Sequence, residues 1–543
     1  MFKKQIYFIM SVILLLTTST VNTLTAQKAT VNTDNNSRFK QTLGETFELD
    51  NVKRSIKDGK GNVYILGTRT SGFFKLDKYF LLGFDNALNK VFEKPYVEPV
   101  LTDKELTLIT VLLVNDKPTF FYQSMGKTGR GQLLAATLAQ DGVLGKPRQV
   151  GAFESDEAFT SCNVTASPDN LKIMVYAELK HTEAKLPLVF KVFDNQLNEI
   201  WKRKESFVTS ESAAKSAISV VRSAHHGRQL LLDNSGRVFV SVPVARGTSE
   251  GKNSRDNLFK VYQFAQDQAE SKVYTIELGK NVIHYFNVIP SKNKDELICF
   301  GTYAGTSKVT LLGGEAGTMG TFHGRLNLTK GEVSPITVQQ FSDDVFDFMS
   351  VNDKKVEDGN GLKCVSAWQH YVTERNNLVI ILEQNYLETL TIREANNTTR
   401  TLSTANSDLA FVVKYAENGA FVYQDYIKKK SAGDFALHVS SLFNAEDPVI
   451  IYNDAPKNFE RDIKHYRNIE PVGWGLLAKS PQPYIYTYDK SGHSKGMNLF
   501  EKSKESFILQ PALMHLQYAP QSVLMFVTSS KNTDKCKLIR IDY

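Results

Sequence analysis

The feature that most constrains this chain is a short pattern that recurs along its length. In Leu188–Trp201 an alternating apolar strand is followed by a polar turn at Asp194 and Asn195 and by a second strand. Asp, Asn and Gly suit such turns because they tolerate left-handed backbone angles or bond their own backbone. Copies of the pattern occur at Tyr79–Lys94, Gln132–Pro147, Pro187–Lys202, Leu258–Tyr274, Thr321–Pro335, Leu409–Gln424 and Tyr484–Phe500. The pattern therefore predicts a structure built from repeated β units.

A further pair of strands precedes each copy. In the first unit these are Phe47–Lys57 and Asn62–Thr68, and in the third they are Phe159–Ser167 and Lys172–Leu179. Four strands per unit is the number found in a β-propeller blade. We count eight units, with seven as the alternative. The sequence thus predicts an all-β chain with a β-propeller over residues 46–543.

The last unit, from Leu509 to Tyr543, offers only three strands. A strand near Phe39–Leu43, in the polar N-terminal segment 27–45, would supply the fourth. This pairing would join the two chain ends and hide the two open edges of the ring.

Residues 1–26 have the features of a secretory signal peptide. Lys3 and Lys4 precede an apolar run, Ile6–Leu16, and cleavage is expected after Ala26. The run is too short to span a bilayer, and the sequence contains no other run long enough to do so. We therefore expect an exported protein without an integral membrane segment, located in the periplasm or outside the cell, in the cell envelope.

Charge and cysteine content exclude several kinds of site. The net charge is +7, and its densest clusters are short, such as Lys428-Lys429-Lys430, which we interpret as solvated strand ends. Nucleic acid binding usually needs a clustered basic face, so we expect none. The cysteines are Cys162, Cys299, Cys364 and Cys536. They lack zinc-site spacing, and we expect buried thiols, with a Cys299–Cys364 bridge as the alternative.

Long links between the second and third strands of the units point to one working face. They are Arg69–Lys78, Ser124–Gly131, Lys180–Leu186, Ala245–Asn257, Ala304–Met319, Leu387–Ser407 and Ala455–Gln482. The other links within units are short. In a four-stranded blade the long links all emerge on one side of the disc, and insertions on one side usually mark the binding surface. Helices are predicted at Ser210–Val221, Asp343–Ser350 and Asn458–Tyr466.

No catalytic motif is apparent, and we expect no cofactor and no metal ion. His225-His226 lacks convergent partners, and Asp343-Asp344 is better explained by the helix dipole than by calcium binding. Asn453, Asp454 and Asn458 follow a strand at the working face. Their oxygens could hold a hard cation or a sugar hydroxyl, although capping the next helix is the plainer role.

Three segments resemble a family of uncharacterised secreted, propeller-like proteins from Bacteroidota. Asn377–Tyr386 carries the Glu-Gln-x-Tyr strand of that family as Glu383, Gln384 and Tyr386, Asp408–Tyr426 begins with its Asp and contains its Gly turn, and Ile450–Asn458 contains its Tyr-Asn-Asp segment. The chain departs from the family at Arg375-Asn376-Asn377, where a double glycine is usual, and at Tyr423, where tryptophan is usual. The resemblance implies an exported protein and no particular activity.

The sequence therefore predicts a secreted or cell-envelope binding or scaffold protein that recognises a protein or glycan partner. The candidate working-face residues are Glu383, Gln384, Tyr386, Asn453, Asp454 and Asn458. The alternative is a propeller hydrolase or lyase that acts on a polysaccharide or peptide at the central mouth. Convergence of Glu383, Asp408, Asp454 or His284 in a deep pocket would favour that alternative.

Overall fold

The structure is a computed structural model of the chain. It describes residues 39–71, 76–101, 104–125, 131–152, 159–179, 185–208, 230–244, 258–304, 317–350, 361–363, 365–393, 399–432, 438–442, 445–460, 463–473, 481–500, 507–511, 513–529 and 535–543. The expected signal peptide, the helix at Ser210–Val221 and His225-His226 lie outside these residues.

Nearly all regular structure in these residues is β-strand. In chain order the strands of the first half are β1 (Lys40–Leu43), β2 (Phe47–Glu48), β3 (Asn51–Lys57), β4 (Val63–Ser71), β5 (Leu76–Phe84), β6 (Lys90–Pro95), β7 (Val100–Leu101), β8 (Lys104–Val114), β9 (Lys117–Met125), β10 (Gly131–Thr137), β11 (Arg148–Ala152), β12 (Phe159–Ala166), β13 (Lys172–Leu179), β14 (Lys185–Asp194), β15 (Glu199–Val208), β16 (Leu230–Leu232), β17 (Val238–Val244), β18 (Leu258–Phe264) and β19 (Lys272–Glu277).

The described residues of the second half contain the remaining strands and two α-helices. The strands are β20 (Val282–Pro290), β21 (Glu296–Ala304), β22 (Thr318–Asn327), β23 (Glu332–Val333), β24 (Thr337–Gln340), β25 (Val365–Val372), β26 (Leu378–Arg393), β27 (Thr399–Tyr415), β28 (Phe421–Ile427), β29 (Ser431–Ala432), β30 (Ser440–Ser441), β31 (Val449–Asp454), β32 (Val472–Gly473), β33 (Gln482–Tyr488), β34 (Ser494–Asn498), β35 (Phe507–Leu509), β36 (His515–Ala519), β37 (Ser522–Ser529) and β38 (Lys535–Asp542). The helices are α1 (Asp343–Ser350) and α2 (Pro456–Glu460).

These strands form eight sheets, which are the blades of a β-propeller. Blades 1 to 5 are β3–β6, β7–β11, β12–β15, β16–β19 and β20–β24; blade 6 is β25–β29 with β32, blade 7 is β30, β31, β33 and β34, and blade 8 is β35–β38 with β1 and β2. First strands of neighbouring blades contact one another, as β3 does with β8 and β36, so they surround the central axis. The predicted all-β propeller is confirmed, with eight blades and not seven.

Within the described residues the hydrophobic core has eight large clusters, one between each pair of neighbouring blades, and a ninth that contains only Ala455 and Val472. Alternation along a strand makes this possible, because successive side chains point to opposite faces of a sheet. On β9, Phe120 and Tyr122 pack toward blade 1, whereas Phe121 packs toward blade 3. Each blade is therefore apolar on both faces and depends on both of its neighbours for burial.

The N-terminal strand closes the ring. β1 pairs antiparallel with β38, from Lys40 opposite Asp542 to Leu43 opposite Ile539. Gln41 donates its side-chain amide to the Leu499 carbonyl of blade 7 at 2.6 Å. The outer strand of the last blade thus comes from the start of the chain, and the two ends protect each other's edges.

One face of the disc carries a repeated tight turn, and we call it the turn face. In nine links between first and second or third and fourth strands, the fourth residue donates its N–H to the carbonyl of the first. That fourth residue has a positive φ whether it is glycine or not: Gly61, Leu88, Gly142, Asn170, Leu197, Gly236, Asn376, Gly419 and Gly492. Asp58, Asp85, Asp194, Asp233 and Asp489 open five of the turns, and the Oδ1 of each accepts two backbone N–H groups.

Neighbouring turns on this face are joined by hydrogen bonds. The Gly59 N–H donates to Asp116 of blade 2 at 2.6 Å, and the Asp169 N–H donates to Asn234 of blade 4 at 3.1 Å. Across the closing interface, the Tyr518 hydroxyl of blade 8 donates to the Gly61 carbonyl at 3.0 Å. The turn face is therefore a band of short turns that bond to one another.

The opposite face receives the links between second and third strands, and we call it the loop face. Two of its predicted links differ from expectation. Most of Leu387–Ser407 is not a loop, because β26 and β27 continue as paired strands to Arg393 and from Thr399. The described residues that follow β31, 455–460 and 463–473, are called the strap, and they add β32 in parallel to β29 of blade 6. The strap contains α2 and a 3-10 turn at Tyr466–Asn468, where one helix over Asn458–Tyr466 was predicted.

Two smaller predictions can also be compared with the structure. The helix predicted at Asp343–Ser350 is present as α1, with Asp343 and Asp344 in its first turn, where the helix dipole favours acids. Cys162 and Cys299 are buried and form no disulfide, so the alternative Cys299–Cys364 bridge was wrong. Cys364 itself lies outside the described residues.

Candidate functional site

Buried charged side chains collect at the loop-face end of blade 6, on both faces of its sheet, and at its boundary with blade 7. β26 leaves the turn face at Leu378, so Glu383 lies well along it toward the loop face, and Asp454 ends β31 at that same face. Lys429 follows β28, the outer strand of blade 6. We call Glu383, Ser407, Asp408, Lys429, His438 and Asp454 the interblade cluster. All of these residues except His438 are almost fully buried.

Glu383 and Lys429 form the ion pair at the centre of this cluster. Their side chains are 0% and 1% exposed, and Nζ lies 3.3 Å from Oε1. Lys429 also donates to the Ser407 hydroxyl at 2.6 Å and to its carbonyl at 3.0 Å. Burial alone would raise the pKa of Glu383, but Lys429 and His438 outweigh it, so the pKa is below its usual value. Glu383 is therefore an ionised carboxylate in the interior.

His438 places an imidazole beside this pair. Its Nδ1 lies 2.7 Å from Oε2 of Glu383, and its ring stacks on Trp368 with centroids 3.7 Å apart. Because an ionised carboxylate can only accept, Nδ1 must carry a proton. The backbone of His438 is strained, with φ +74°. The contact fixes the tautomer of a histidine close to the first strand of blade 7.

Asp408 lies on the other side of the same sheet. Its Oδ2 accepts hydrogen bonds from the Tyr386 hydroxyl at 2.8 Å and from the Tyr466 hydroxyl, and its Oδ1 is buried without a hydrogen-bond partner. Burial raises the pKa of Asp408, although the two tyrosines and Lys429 oppose the shift. The carboxylate fastens Tyr466, a strap residue, to blade 6.

Asp454 anchors the other end of the strap. Its Oδ1 accepts from the Ala455 N–H at 2.7 Å and from the Asn458 side chain at 2.8 Å. Asn458 in turn bonds both the N–H and the carbonyl of Glu470, each at 2.7 Å. Burial raises the pKa of Asp454 to about 7, against these hydrogen bonds and Lys429. Asp454 therefore orients the side chain of Asn458, and Asn458 ties α2 to Glu470 and folds the strap back on itself.

The strap is packed into the disc, unlike a free loop. Ile463, Tyr466 and Ile469 belong to the core cluster between blades 5 and 6. Lys428 donates to the Ile463 carbonyl at 2.7 Å, and Lys430 lies 4.7 Å from the centroid of the Tyr466 ring. Residues from blade 6 thus hold a connection that belongs to blade 7.

The six candidate residues from the sequence lie in or beside this region, but five are in the interior. Glu383, Gln384, Asn453, Asp454 and Asn458 are between 0% and 8% exposed, and Tyr386 is half-buried. Asn453 bonds the backbone of Leu509 in blade 8, and Gln384 donates to the Lys363 carbonyl. These contacts are structural. Their assignment to a binding surface remains a prediction.

The residues that the enzyme alternative named do not form one reactive group. Asp408 and Asp454 each have their own hydrogen-bond donors, and Glu383 is neutralised by Lys429. His284 lies in blade 5, with Thr318 Oγ1 at 3.4 Å. In the described part of the chain, no set of three or more His, Cys, Asp or Glu side chains is placed to hold a metal ion.

Sequence reasoning missed Lys429, His438 and Tyr466. Lys429 belongs to the lysine run that we interpreted as solvated, and its burial shows that this interpretation was wrong for the middle lysine. His438 and Tyr466 lie 55 and 58 residues from the carboxylates that they contact. No local pattern marks them, because their partners come from other strands.

A groove of about 630 Å³ lies between the outer edges of blades 5 and 6 and is separate from the interblade cluster. It is lined by Gln339–Asp343 and Phe421–Gln424. Among the helices that the structure describes, none is long and apolar enough to span a membrane.

The ion pair predicts a large coupling free energy between Glu383 and Lys429 in the stability of the protein. Glu383→Gln or Lys429→Met alone leaves a buried charge without its partner, and each should lower the free energy of unfolding by about 3–5 kcal/mol. The double variant should recover part of that loss. Denaturant unfolding of the four proteins gives the coupling. Lys292 and Glu374, an exposed pair, are the control and should couple by about 0–1 kcal/mol. Additive losses at Glu383 and Lys429 would contradict the ion pair.

The buried carboxyl of Asp454 predicts a specific pH dependence of the protein's stability. Its raised pKa means that the folded protein binds this proton more tightly than the unfolded chain, whose value is about 3.9. The resulting stability is complete below pH 4 and is lost as the pH rises to about 7, by up to about 1.4 kcal/mol per unit.

Asp454→Asn keeps the hydrogen-bond acceptor and removes the charge, so it should be less sensitive to pH than the wild type between pH 5 and 7. Thermal unfolding across this range measures the difference, with Asp267→Asn at an exposed turn as the control. Equal pH profiles for the wild type and Asp454→Asn would show that the carboxylate is not buried as described.

Comparison with solved structures gives only distant likeness, and no family model and no curated protein matches the sequence. The β-propeller domain of the Trilobed protease from Pyrococcus furiosus aligns at 9% identity and TM-score 0.36, over 84% of this chain and 100% of that one. The WD40 domain of SCAP from fission yeast aligns at 8% identity and TM-score 0.39, over 95% and 97%. Acylaminoacyl peptidase from Pyrococcus horikoshii aligns at 10% identity and TM-score 0.35, over 89% of this chain and 58% of that one.

Proposed function

We propose that this protein is an exported binding or scaffold module of the cell envelope that engages a macromolecular partner through its loop face. The observation that supports the proposal most is the difference between the two faces. The turn face is occupied by short turns that bond to one another. Every long connection between second and third strands leaves on the other side, where a rigid disc can hold recognition segments at little further ordering cost.

Export is part of this proposal and is supported by the sequence of residues 1–26 alone. The positive start, the short apolar run and the small residue at Ala26 are typical of a cleaved leader. The basic residues are dispersed along the chain, which favours a protein or glycan partner over nucleic acid.

The rival proposal is a hydrolase or lyase at the central mouth. One observation favours it, since Glu383 orients His438 much as a carboxylate orients a catalytic histidine. Against it, the carboxylates of the interblade cluster are enclosed and each is held by separate partners. We therefore prefer recognition to catalysis.

A comparison of the two faces tests the proposed function. The mature protein is used to capture partners from its own cell envelope, followed by mass spectrometry. In one variant a Gly-Ser linker of five residues replaces residues 245–257 of the loop face. In the control, residues 265–271 of the turn face are replaced by a Gly-Ser linker of equal length. The proposal predicts that a captured partner is lost at least tenfold with the loop-face variant and retained with the control, at unchanged melting temperatures.

Two outcomes would contradict the proposal. Loss of the partner with the turn-face control alone would place recognition on the wrong side of the disc. Retention of every partner after replacement of each of 245–257, 305–316 and 394–398 in turn would remove these three connections from recognition and leave the proposed use of the loop face without support.

A further inference from the structure

β26 and β27 extend far beyond the rest of their blade. They have 16 and 17 residues, whereas the other strands have at most 11. β25 pairs with β26 only as far as Gln384, and β29 pairs with β27 only at Asn406 and Ser407. Past these points Leu387–Arg393 pairs with Thr399–Ala405 alone, in a continuous register from Leu387 opposite Ala405 to Arg393 opposite Thr399. We call these two paired segments the ribbon.

The ribbon presents two open strand edges on the loop face. Within the described residues its two strands pair with each other and with no third strand. In an antiparallel pair, about half of the backbone N–H and C=O groups of each strand point away from the partner strand. At about 3.4 Å per residue, each open edge is about 20 Å long.

The interblade cluster fixes the base of the ribbon. Ser407 is held by Lys429, and Tyr386 bonds Asp408 across the strand pair. The strap contributes β32, which pairs with β29 next to β27. A free two-stranded hairpin is only marginally stable in water, whereas this ribbon continues a sheet that is anchored in the core. Its backbone groups are therefore positioned before any partner arrives.

The ribbon has few of the features that usually protect an exposed edge. Natural edge strands are kept from pairing by charged side chains, especially Lys, by Pro or by β-bulges. Leu387–Arg393 and Thr399–Ala405 contain no Lys or Pro, and their charged residues are Glu388, Arg393 and Arg400. The register shift of this strand pair lies below the ribbon, between Glu383 and Asn385, and the ribbon itself has none. Such an edge is a template for another strand.

We propose that the ribbon binds an extended segment of a protein partner, which adds to it as a further β-strand. Only another polypeptide backbone offers N–H and C=O groups at the spacing that satisfies an open strand edge, so the chemistry selects a protein and not a glycan. The inference rests on the proposed function and narrows it, naming the partner class and the part of the loop face that it contacts.

The experiment uses a phage-displayed library of dodecapeptides, with a glycan array in parallel. Peptides selected on the wild-type protein are synthesised, and their Kd is measured by fluorescence anisotropy. In the shortened variant Asn-Gly replaces residues 389–403, so the hairpin closes just above the pair Glu388 and Thr404. The proposal predicts selected peptides with alternating polar and apolar residues, and loss of their binding to the shortened variant at an unchanged melting temperature.

Substitutions within the ribbon separate main-chain from side-chain recognition. Ser403→Pro and Thr404→Pro affect adjacent residues, of which one directs its N–H to β26 and the other to the open edge. The proline that removes the N–H at the open edge should weaken peptide binding about three- to tenfold without loss of stability. The exposed side chains Thr401, Ser403 and Thr404 provide the matched control. Their triple alanine variant should bind within about twofold of wild type, because the backbone is unchanged.

Four results would overturn the inference. The first is unchanged peptide binding by the shortened variant, and the second is loss of binding by the alanine variant but not by the proline variants. The others are glycan binding that depends on the ribbon, and a ribbon-dependent dimer, which would make the occupant a second copy of this chain. If the shortened variant keeps an envelope partner that the 245–257 variant loses, the ribbon assignment falls while the proposed function stands.

Discussion

Closure of the ring by β1 and β38 is the constraint on which the rest of this structure depends. Each blade is apolar on both faces, so every blade needs two neighbours. An open row of eight blades would leave one apolar face exposed at each end. The core cluster between blade 8 and blade 1 buries both of these faces. The outer strand of blade 8 comes from the other end of the chain, so the two chain ends form one continuous sheet.

Closure also creates two unlike faces. Strands of antiparallel blades alternate in direction, so links of one kind all emerge on one side. The same turn geometry is repeated on the turn face, even where Leu88 and Leu197 must adopt a positive φ that leucine disfavours. The links on the loop face do not share that turn geometry. They include the ribbon and the longer connections, which can vary without disturbing the disc, and the strap, which is itself packed into the core.

Much of the fold could be predicted from the sequence because its determinants are local. Alternation along each strand and an Asp, Asn or Gly in each turn are properties of a few adjacent residues, and they gave the blade count and the closing strand. The interblade cluster could not be predicted in the same way. Lys429 looks like its neighbours Lys428 and Lys430, and only its contact with Glu383, 46 residues earlier, explains its burial.

The same limit explains why Asp454, Asn458 and Glu383 were expected at a surface. Polar residues after a strand usually face solvent, but the strap supplies partners for Asp454 and Asn458. Glu383 lies within β26 and is buried by its contacts with Lys429 and His438. Chain length between strands likewise did not reveal that Leu387–Ser407 forms mainly paired strand and that residues 463–473 are packed against blade 6. In each case the deciding contact is made by residues distant in sequence.

Ring closure can be measured directly with a pair of cysteines. Thr42 and Arg540 are opposite each other on β1 and β38, at a separation that a disulfide can bridge. In a Thr42→Cys, Arg540→Cys variant, mild oxidation should join the two chain ends, detected by peptide mapping, and should raise the melting temperature relative to the reduced protein. Thr42→Cys with Lys537→Cys, three residues out of register, should not form the bridge. Failure of the matched pair to form it, or equal bridging by the two pairs, would contradict a ring closed by these strands.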